Sequence, residues 1–111
     1  MKIAFASSST GGLNDKVSDK FGRCPTFTIV TVENGKIISV TMVENPGHKA
    51  VSGAGIKAVQ KLVNEGVDAI VAGNFGPNAE VALHEVGIKT YVVRNLTIRE
   101  ALDKILSEKN S

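Results

Sequence analysis

Residues 26–44 read "TFTIVTVENGKIISVTMVE". The stretch is dense in Val, Ile and Thr and has Asn34-Gly35 at its centre. That pair is favoured in a two-residue type I′ turn because both central residues need positive φ. It predicts an antiparallel hairpin, strands two and three of the chain. Glu33 then faces Lys36, Ile29 faces Val40 and Phe27 faces Met42 on one side, with Val32 opposite Ile37 on the other. Apolar residues on both faces imply a sheet covered on both sides.

Upstream, "KIAFA" (2–6) reads as a buried strand running into the turn-rich "SSSTGGLND". Downstream, Ile56, Val59, Leu62 and Val63 recur at helical spacing over 53–65, with Ser52 placed to cap the start and Gly66 the end. "VDAIVA" is a fourth strand, and after "GNFG" Pro77 opens a helix at the position that tolerates a missing N–H. Ala79, Ala82, Leu83 and Val86 give that helix its apolar stripe, and "GIKTYVV" is the fifth strand. Thr97 and Glu100 form a capping box for a last helix with Ile98, Ala101, Leu102, Ile105 and Leu106 on one face, and residues 106–111 are expected to fray.

Hairpin strands run antiparallel, whereas strands joined through a helix are normally parallel with a right-handed crossover. If strand one points up, strand two points down and strands three, four and five point up. The expected fold is a three-layer α/β arrangement of the ribonuclease H-like kind. It is a single domain with a mixed five-stranded sheet in the order 3-2-1-4-5, strand 2 antiparallel, and three helices.

The totals agree with one domain, since 111 residues of which 42% are apolar suffice for one core. The formal charge of +2 comes from interspersed Lys and Arg, so neither nucleic acid nor a membrane surface is an expected partner. With no Trp, one Tyr and four Phe, base-stacking platforms are poorly supplied. No apolar run approaches the length of roughly 20 residues that crosses a bilayer. One Cys makes no internal disulfide, and the cytoplasm is the expected location. The oligomeric state is not encoded in any feature of the sequence.

This topology gathers the loop after strand one, the "SDKFGRCP" segment (18–25), the loop after strand three with His48, and the "GNFG" turn at one edge of the sheet. Ligands of open α/β sheets bind at the carboxyl ends of the parallel strands. At "GNFGPNA" the first N–H groups of a helix face that edge, where Gly73, Asn74, Gly76 and Asn78 are suited to an anion. Cys24 lies between Arg23 and Pro25, and Lys20 and Arg23 would favour its thiolate, the form that binds soft metals. Against this stands a partly buried small residue. His48 is a second candidate metal ligand, weighed against an ordinary solvated loop residue, while His84 falls away from the edge.

Other motifs fail on context. "GAGIKA" (53–58) matches a dinucleotide fingerprint, but it does not follow a strand directly and no acidic residue ends the next strand. Gly53 and Gly55 are read as allowing close approach at the helix start. "SSSTGG" lacks the helix a phosphate loop requires, and its serines are read as solvated turn residues. "KIAFA" holds none of the carboxylates a metal-dependent nuclease on this scaffold needs.

With the loops in place, "SDKFGRCPTF", "GAGIKAVQKL", "GVDAIVAGNFGPNA" and "GIKTYVV" together resemble the dinitrogenase iron–molybdenum cofactor-binding family over nearly the whole chain. The resemblance implies a non-catalytic protein that carries an anionic iron–sulfur or iron–molybdenum-type cluster or its precursor; a separate reading is an interaction module that delivers cargo to, or regulates, a protein partner. Lys20, Phe21, Gly22, Arg23 and Cys24, with His48, Gly53, Gly55, Gly73, Asn74, Gly76 and Asn78, are the expected binding residues, Cys24 and His48 the metal ligands. Family members often have His before the Phe-Gly pair where this chain has Lys20, and a His-Gly pattern where this chain has its His48 loop. The alternative, from the residues alone, is an enzyme or sensor that holds a phosphate or nucleotide at the Gly73–Pro77 turn.

Overall fold

A computed structural model describes residues 1–109. β1 (Lys2–Ser7), β2 (Thr26–Glu33), β3 (Lys36–Glu44), β4 (Ala69–Ala72) and β5 (Lys89–Val92) form one sheet in the order β3-β2-β1-β4-β5. β2 is antiparallel to β1 and β3, while β1, β4 and β5 are parallel, as hairpin and crossover rules require. Three helices complete it: α1 (Ala54–Glu65), α2 (Pro77–Glu85) and α3 (Ile98–Lys109).

The hairpin turn forms as expected, with Asn34 and Gly35 both at positive φ. Its register does not hold along the strands. Glu33 faces Lys36 and Val32 faces Ile37, but a bulge then shifts the pairing, so that Thr31 meets Ser39, Ile29 meets Thr41 and Phe27 meets Val43. The extra residue corrects the expected pairs Ile29–Val40 and Phe27–Met42. A one-residue slip exchanges the faces of a strand. Val43 therefore packs with Phe27 while Met42 stays half exposed.

The sheet separates two apolar layers. On one side Ala4, Ala6, Phe27, Ile29, Ile70 and Ala72 pack against Ala58, Val59 and Leu62 of α1 and Ala79 and Leu83 of α2. On the other, Ile3, Phe5, Val30, Ala69 and Val71 meet Ile98, Ala101, Leu102 and Ile105 of α3. The α3 capping box is present, in the reciprocal form that satisfies two donors at once. Thr97 N–H donates to Glu100 Oε1 at 2.9 Å. Glu100 N–H donates to Thr97 Oγ1 at 3.2 Å. This helix runs to Lys109, so of the tail expected to fray, residues 106–109 are helical and 110–111 lie outside the described residues.

α1 departs from its expected face and cap. Ile56 and Val63 are exposed, and the buried stripe is Ala58, Val59 and Leu62. Gly53 in the left-handed conformation takes the N-cap position, with no side-chain hydrogen bond from Ser52 or any other residue. Gly66 ends the helix as expected, its N–H donating to Leu62 and Val63 carbonyls.

Candidate functional site

The site is assembled where the carboxyl ends of β1 and β4 meet the loop into β2. Phe21 is its centre: buried, it lies 5.5 Å from Phe27 of β2 and 5.3 Å from Phe75 of the "GNFG" turn, ring centroid to centroid. Its N–H donates to the Asn74 carbonyl at 3.1 Å, and Gly73 N–H donates to Ser18 O at 2.8 Å. The 18–25 segment and the turn after β4 are thus stitched together by backbone and rings alike.

A third loop joins them through Asn45, which is buried although polar. Its amide nitrogen reaches the carbonyls of Gly22 at 3.1 Å and Cys24 at 2.9 Å, while its Oδ1 accepts from Gly47 N–H at 2.9 Å. A side chain on Gly47 would strike the carbonyl oxygens of Ala54 and Gly22, and one on Gly22 would sit 3.0 Å from Gly55 N. These glycines let the loop, the turn and the first residues of α1 touch backbone to backbone. Nothing in the sequence marks Asn45 except its place before Pro46-Gly47, and it is not among the expected site residues.

The starts of α1 and α2 lie side by side. A Cβ on Gly55 would lie 3.5 Å from the Ala79 Cβ, so the two first turns are in contact. The first intrahelical bonds are Lys57 N–H to Gly53 O and Glu80 N–H to Gly76 O. The N–H groups of Ala54, Gly55 and Ile56, and of Asn78 and Ala79, find no acceptor among the described residues. Gly76 reaches this geometry at φ 79°, ψ 155°, a region essentially closed to other residues. Gly73 lies buried against Asp19, while Gly53, Asn74, Asn78 and Lys20 are exposed. Two adjacent helix starts sum their positive ends. Arg94, beyond the end of β5, donates from Nε to Gly73 O at 2.9 Å and adds a cation behind the turn. The parallel direction of β5 places it at this edge, a signal present in the sequence but not drawn from it.

Cys24 occupies the expected edge but not the expected state. It is 1% exposed and belongs to the core cluster with Phe21 and Phe27. Its Sγ–H donates to Phe21 O at 3.3 Å, and the Asn45 amide lies 3.6 Å from the sulfur. Burial pushes the thiol up to about 12, more than the Asn45 hydrogen bond lowers it. Lys20 and Arg23 therefore do not favour a thiolate, because both residues are at the surface while the sulfur is in the core. Arg23 instead holds the next loop, donating from Nη1 to Ala50 O.

His48 is exposed at the surface of that loop, and its ring is oriented by the backbone. Its Nδ1 lies 2.8 Å from Arg23 O. A carbonyl only accepts, so this contact puts the proton on Nδ1 and leaves the lone pair on Nε2. His48 and Cys24 are thus neighbours through Arg23, but one faces solvent and the other the core. No group of three or more His, Cys, Asp or Glu side chains placed to hold a metal ion occurs among the described residues. Beside this rim, a cleft of about 510 Å³ is lined by Ser9, Thr10, Pro25, Thr26, Glu44, Asn45, Pro46, His48 and Lys49. It lies on the β2–β3 side and shares the 45–49 loop, whose Gly47 abuts Ala54 at the start of α1.

The model of the dinitrogenase iron–molybdenum cofactor family matches residues 1–108. The chain belongs to that family. An uncharacterized protein of Methanocaldococcus jannaschii is 34% identical over 96 residues, 86% of this chain and 81% of that one. The apo form of the orange protein from Desulfovibrio gigas is 31% identical, with a TM-score of 0.86 over 97% of this chain and 88% of that one. A Thermotoga protein proposed to be NifB is 38% identical, with a TM-score of 0.78 over 96% and 87%. Within this family, the present chain has a rim built from backbone donors and exposed cations, and its one thiol turned inward.

Proposed function

We propose that the protein is a non-catalytic binding or carrier protein for an anionic iron–sulfur or iron–molybdenum-type cluster or its precursor, held at the rim formed by the starts of α1 and α2. The observation that carries this reading is the contact of two helix N-termini with unpaired N–H groups, flanked by Lys20 and Arg23. Such donors suit the charge of a sulfide-rich cluster without discriminating among metals. His48 Nε2 is the exposed ligand, along the same rim. Ligation by Cys24 requires the Phe21–Cys24 turn to lift and the thiol to ionise, so its contribution is measured separately. Delivery to an acceptor protein would use the same rim, and the cytoplasm, where a lone thiol stays reduced, is the compartment that fits. No helix among the described residues is long and apolar enough to cross a membrane.

The test is anaerobic incubation with iron and sulfide, and separately with donated iron–molybdenum cofactor, followed by metal analysis and absorption spectroscopy. A bound cluster gives a charge-transfer band. Lys20→Glu combined with Arg23→Glu weakens retention by about tenfold or more. Retention of the band in Cys24→Ala with loss in His48→Ala assigns the exposed ligand. Absence of metal under both conditions overturns the reading.

The turn after β4 supports a second reading by itself, since the N–H groups of Asn78 and Ala79 stand free beside Asn74. A phosphate-bearing ligand there at 100 times its dissociation constant would add about 2.7 kcal/mol. A thermal-shift panel of nucleotides and phosphosugars that stays flat removes it.

A further inference from the structure

The cleft beside the rim is lined by two side chains of opposite charge that do not meet. Glu44 ends β3 and Lys49 follows in the next loop, and both line the same cavity of about 510 Å³. Neither side chain has a hydrogen bond or an ion pair with any other described residue.

The walls around these two charges are fixed. Glu44 pairs with Thr26 at the end of the β2–β3 ladder, and Thr26 Oγ1 donates to Ser9 O at 2.7 Å, which ties the loop after β1 to the same strands. Asn45 N–H donates to Pro25 O at 3.1 Å and His48 N–H to Asn45 O at 3.0 Å, which hold the 45–49 loop against the start of β2. The cavity falls within the range of about 300–1,000 Å³ usual for small-molecule sites, and walls already in place spare a ligand the entropy of ordering them.

The polar groups on these walls differ in kind. Lys49 offers an ammonium donor, Glu44 a carboxylate acceptor, and His48, whose Nδ1 is engaged by Arg23 O, the lone pair of Nε2. A simple anion would meet repulsion from Glu44, and a simple cation repulsion from Lys49. A molecule with one charge of each sign pairs with both. The rings of Pro25 and Pro46 supply apolar surface for the rest of it.

We infer that this cleft binds a small zwitterion of the amino-acid kind, its carboxylate at Lys49 and its ammonium at Glu44. The inference stands apart from the cluster reading, which rests on the helix starts with Lys20 and Arg23.

An NMR titration of the metal-free protein with a panel of free amino acids tests it. Each amino acid that binds is compared with the amine and the carboxylic acid that lack one of its charges, which for leucine are isoamylamine and isocaproate. The expected result is a saturable shift of the Thr10, Thr26 and Lys49 amides, with each analogue bound about fivefold more weakly than the zwitterion. Lys49→Met should abolish the preference for the amino acid over the amine, and Glu44→Gln the preference over the carboxylic acid. Both positions are exposed, and circular dichroism melts confirm that each variant is folded. The inference is overturned if no amino acid shifts these amides at any concentration up to its solubility, or if the two variants keep the parent's selectivity. A carboxylic acid that binds as well as its amino acid overturns it too, in favour of a plain anion site. None of these outcomes bears on the cluster reading, because no metal is added.

Discussion

Two glycine-rich turns leave parallel strands at the same edge of this sheet, and they have opposite fates. In the "SSSTGG" loop after β1, the N–H groups of Ser9 and Gly11 both donate to Asp15 Oδ2 at 2.9 Å, and Gly12 N–H donates to Thr28 Oγ1 at 2.9 Å. The chain supplies its own anion there. In the turn after β4, the Asp19 carboxylate lies against Gly73 but accepts no N–H of the turn, and Pro77 starts a helix whose next two N–H groups have no acceptor among the described residues. A glycine-rich turn is therefore receptive only when the side chains within reach leave its donors unused. The serines follow the same division: Ser8 and Ser9 are exposed as expected of turn residues, whereas Ser7 is fully buried with its Oγ 2.7 Å from Thr28 Oγ1.

The strongest way to break the contrast is to remove what holds the open turn. Phe21 packs against Phe75 and Phe27 and is 1% exposed. Phe21→Ala leaves a cavity under the 18–25 segment and the turn after β4 and costs about 3–5 kcal/mol. Denaturant unfolding measures it. The distinctive expectation is that amide exchange of residues 73–79 rises more than that of residues 8–16, whose bonds do not involve the ring. Equal loosening of both loops would mean that Phe21 stabilises the domain as a whole and not this turn in particular.

A smaller effect follows from the backbone of the turn. Gly76→Ala forces a Cβ into a conformation that costs about 1–3 kcal/mol. The cost is one of backbone strain alone, because the space around the added atom is open. Anion binding at the start of α2 should fall with stability, since relaxing the strain re-aims the free N–H groups. Gly12, at φ 101° with nothing near its Cβ position, is the matched control in the closed loop. Gly12→Ala should cost stability without changing anion binding.

Much of this was legible because it rests on local rules. Asn34-Gly35 set the hairpin, and crossover handedness then set the strand order and brought the loops to one edge. The bulge was not legible: "KIISV" has no glycine or proline to announce an extra residue, and the shift depends on Phe27 and Val43 finding the same core. On α1 the spacing favours large side chains, but Gly55 brings the helix against Ala79, and the residues turned inward are Ala58, Val59 and Leu62. The state of Cys24 was hidden because part of what surrounds it comes from far along the chain. Neither the Asn45 amide nor the core packing that neutralises the thiol shows in "FGRCP".

Asp15 gives the closed loop a property that the open turn lacks. Its carboxylate accepts from the N–H groups of Ser9, Gly11 and Lys16, and Asp15→Ala frees all three. The loss is about 1 kcal/mol, because donors stranded in a partly solvated loop regain water as a partner. The substitution should also convert the loop into a weak sulfate site, seen as a salt-specific rise in melting temperature larger than that of the parent protein.

The gentlest test leaves the covalent structure alone and lowers the pH. Burial opposes ionisation of Asp15, but the backbone hydrogen bonds from Ser9, Lys16 and Gly11 outweigh it and hold the carboxyl below its ordinary 3.8. A carboxylate depressed in the folded state stabilises it above the unfolded value, and that contribution is lost as pH falls through the folded value. The amide resonances of Ser9, Gly11 and Lys16 should therefore shift together, with one midpoint below 3.8, while those of Asn78 and Ala79 show no matching step. A shared midpoint at both turns would mean that the acid transition is global unfolding, and the carboxylate would then have no separate hold on its loop. Separate behaviour makes the two turns distinct by a single side chain, since a proton on Asp15 does to the first what the sequence does to the second: it leaves backbone donors without a charge to bind.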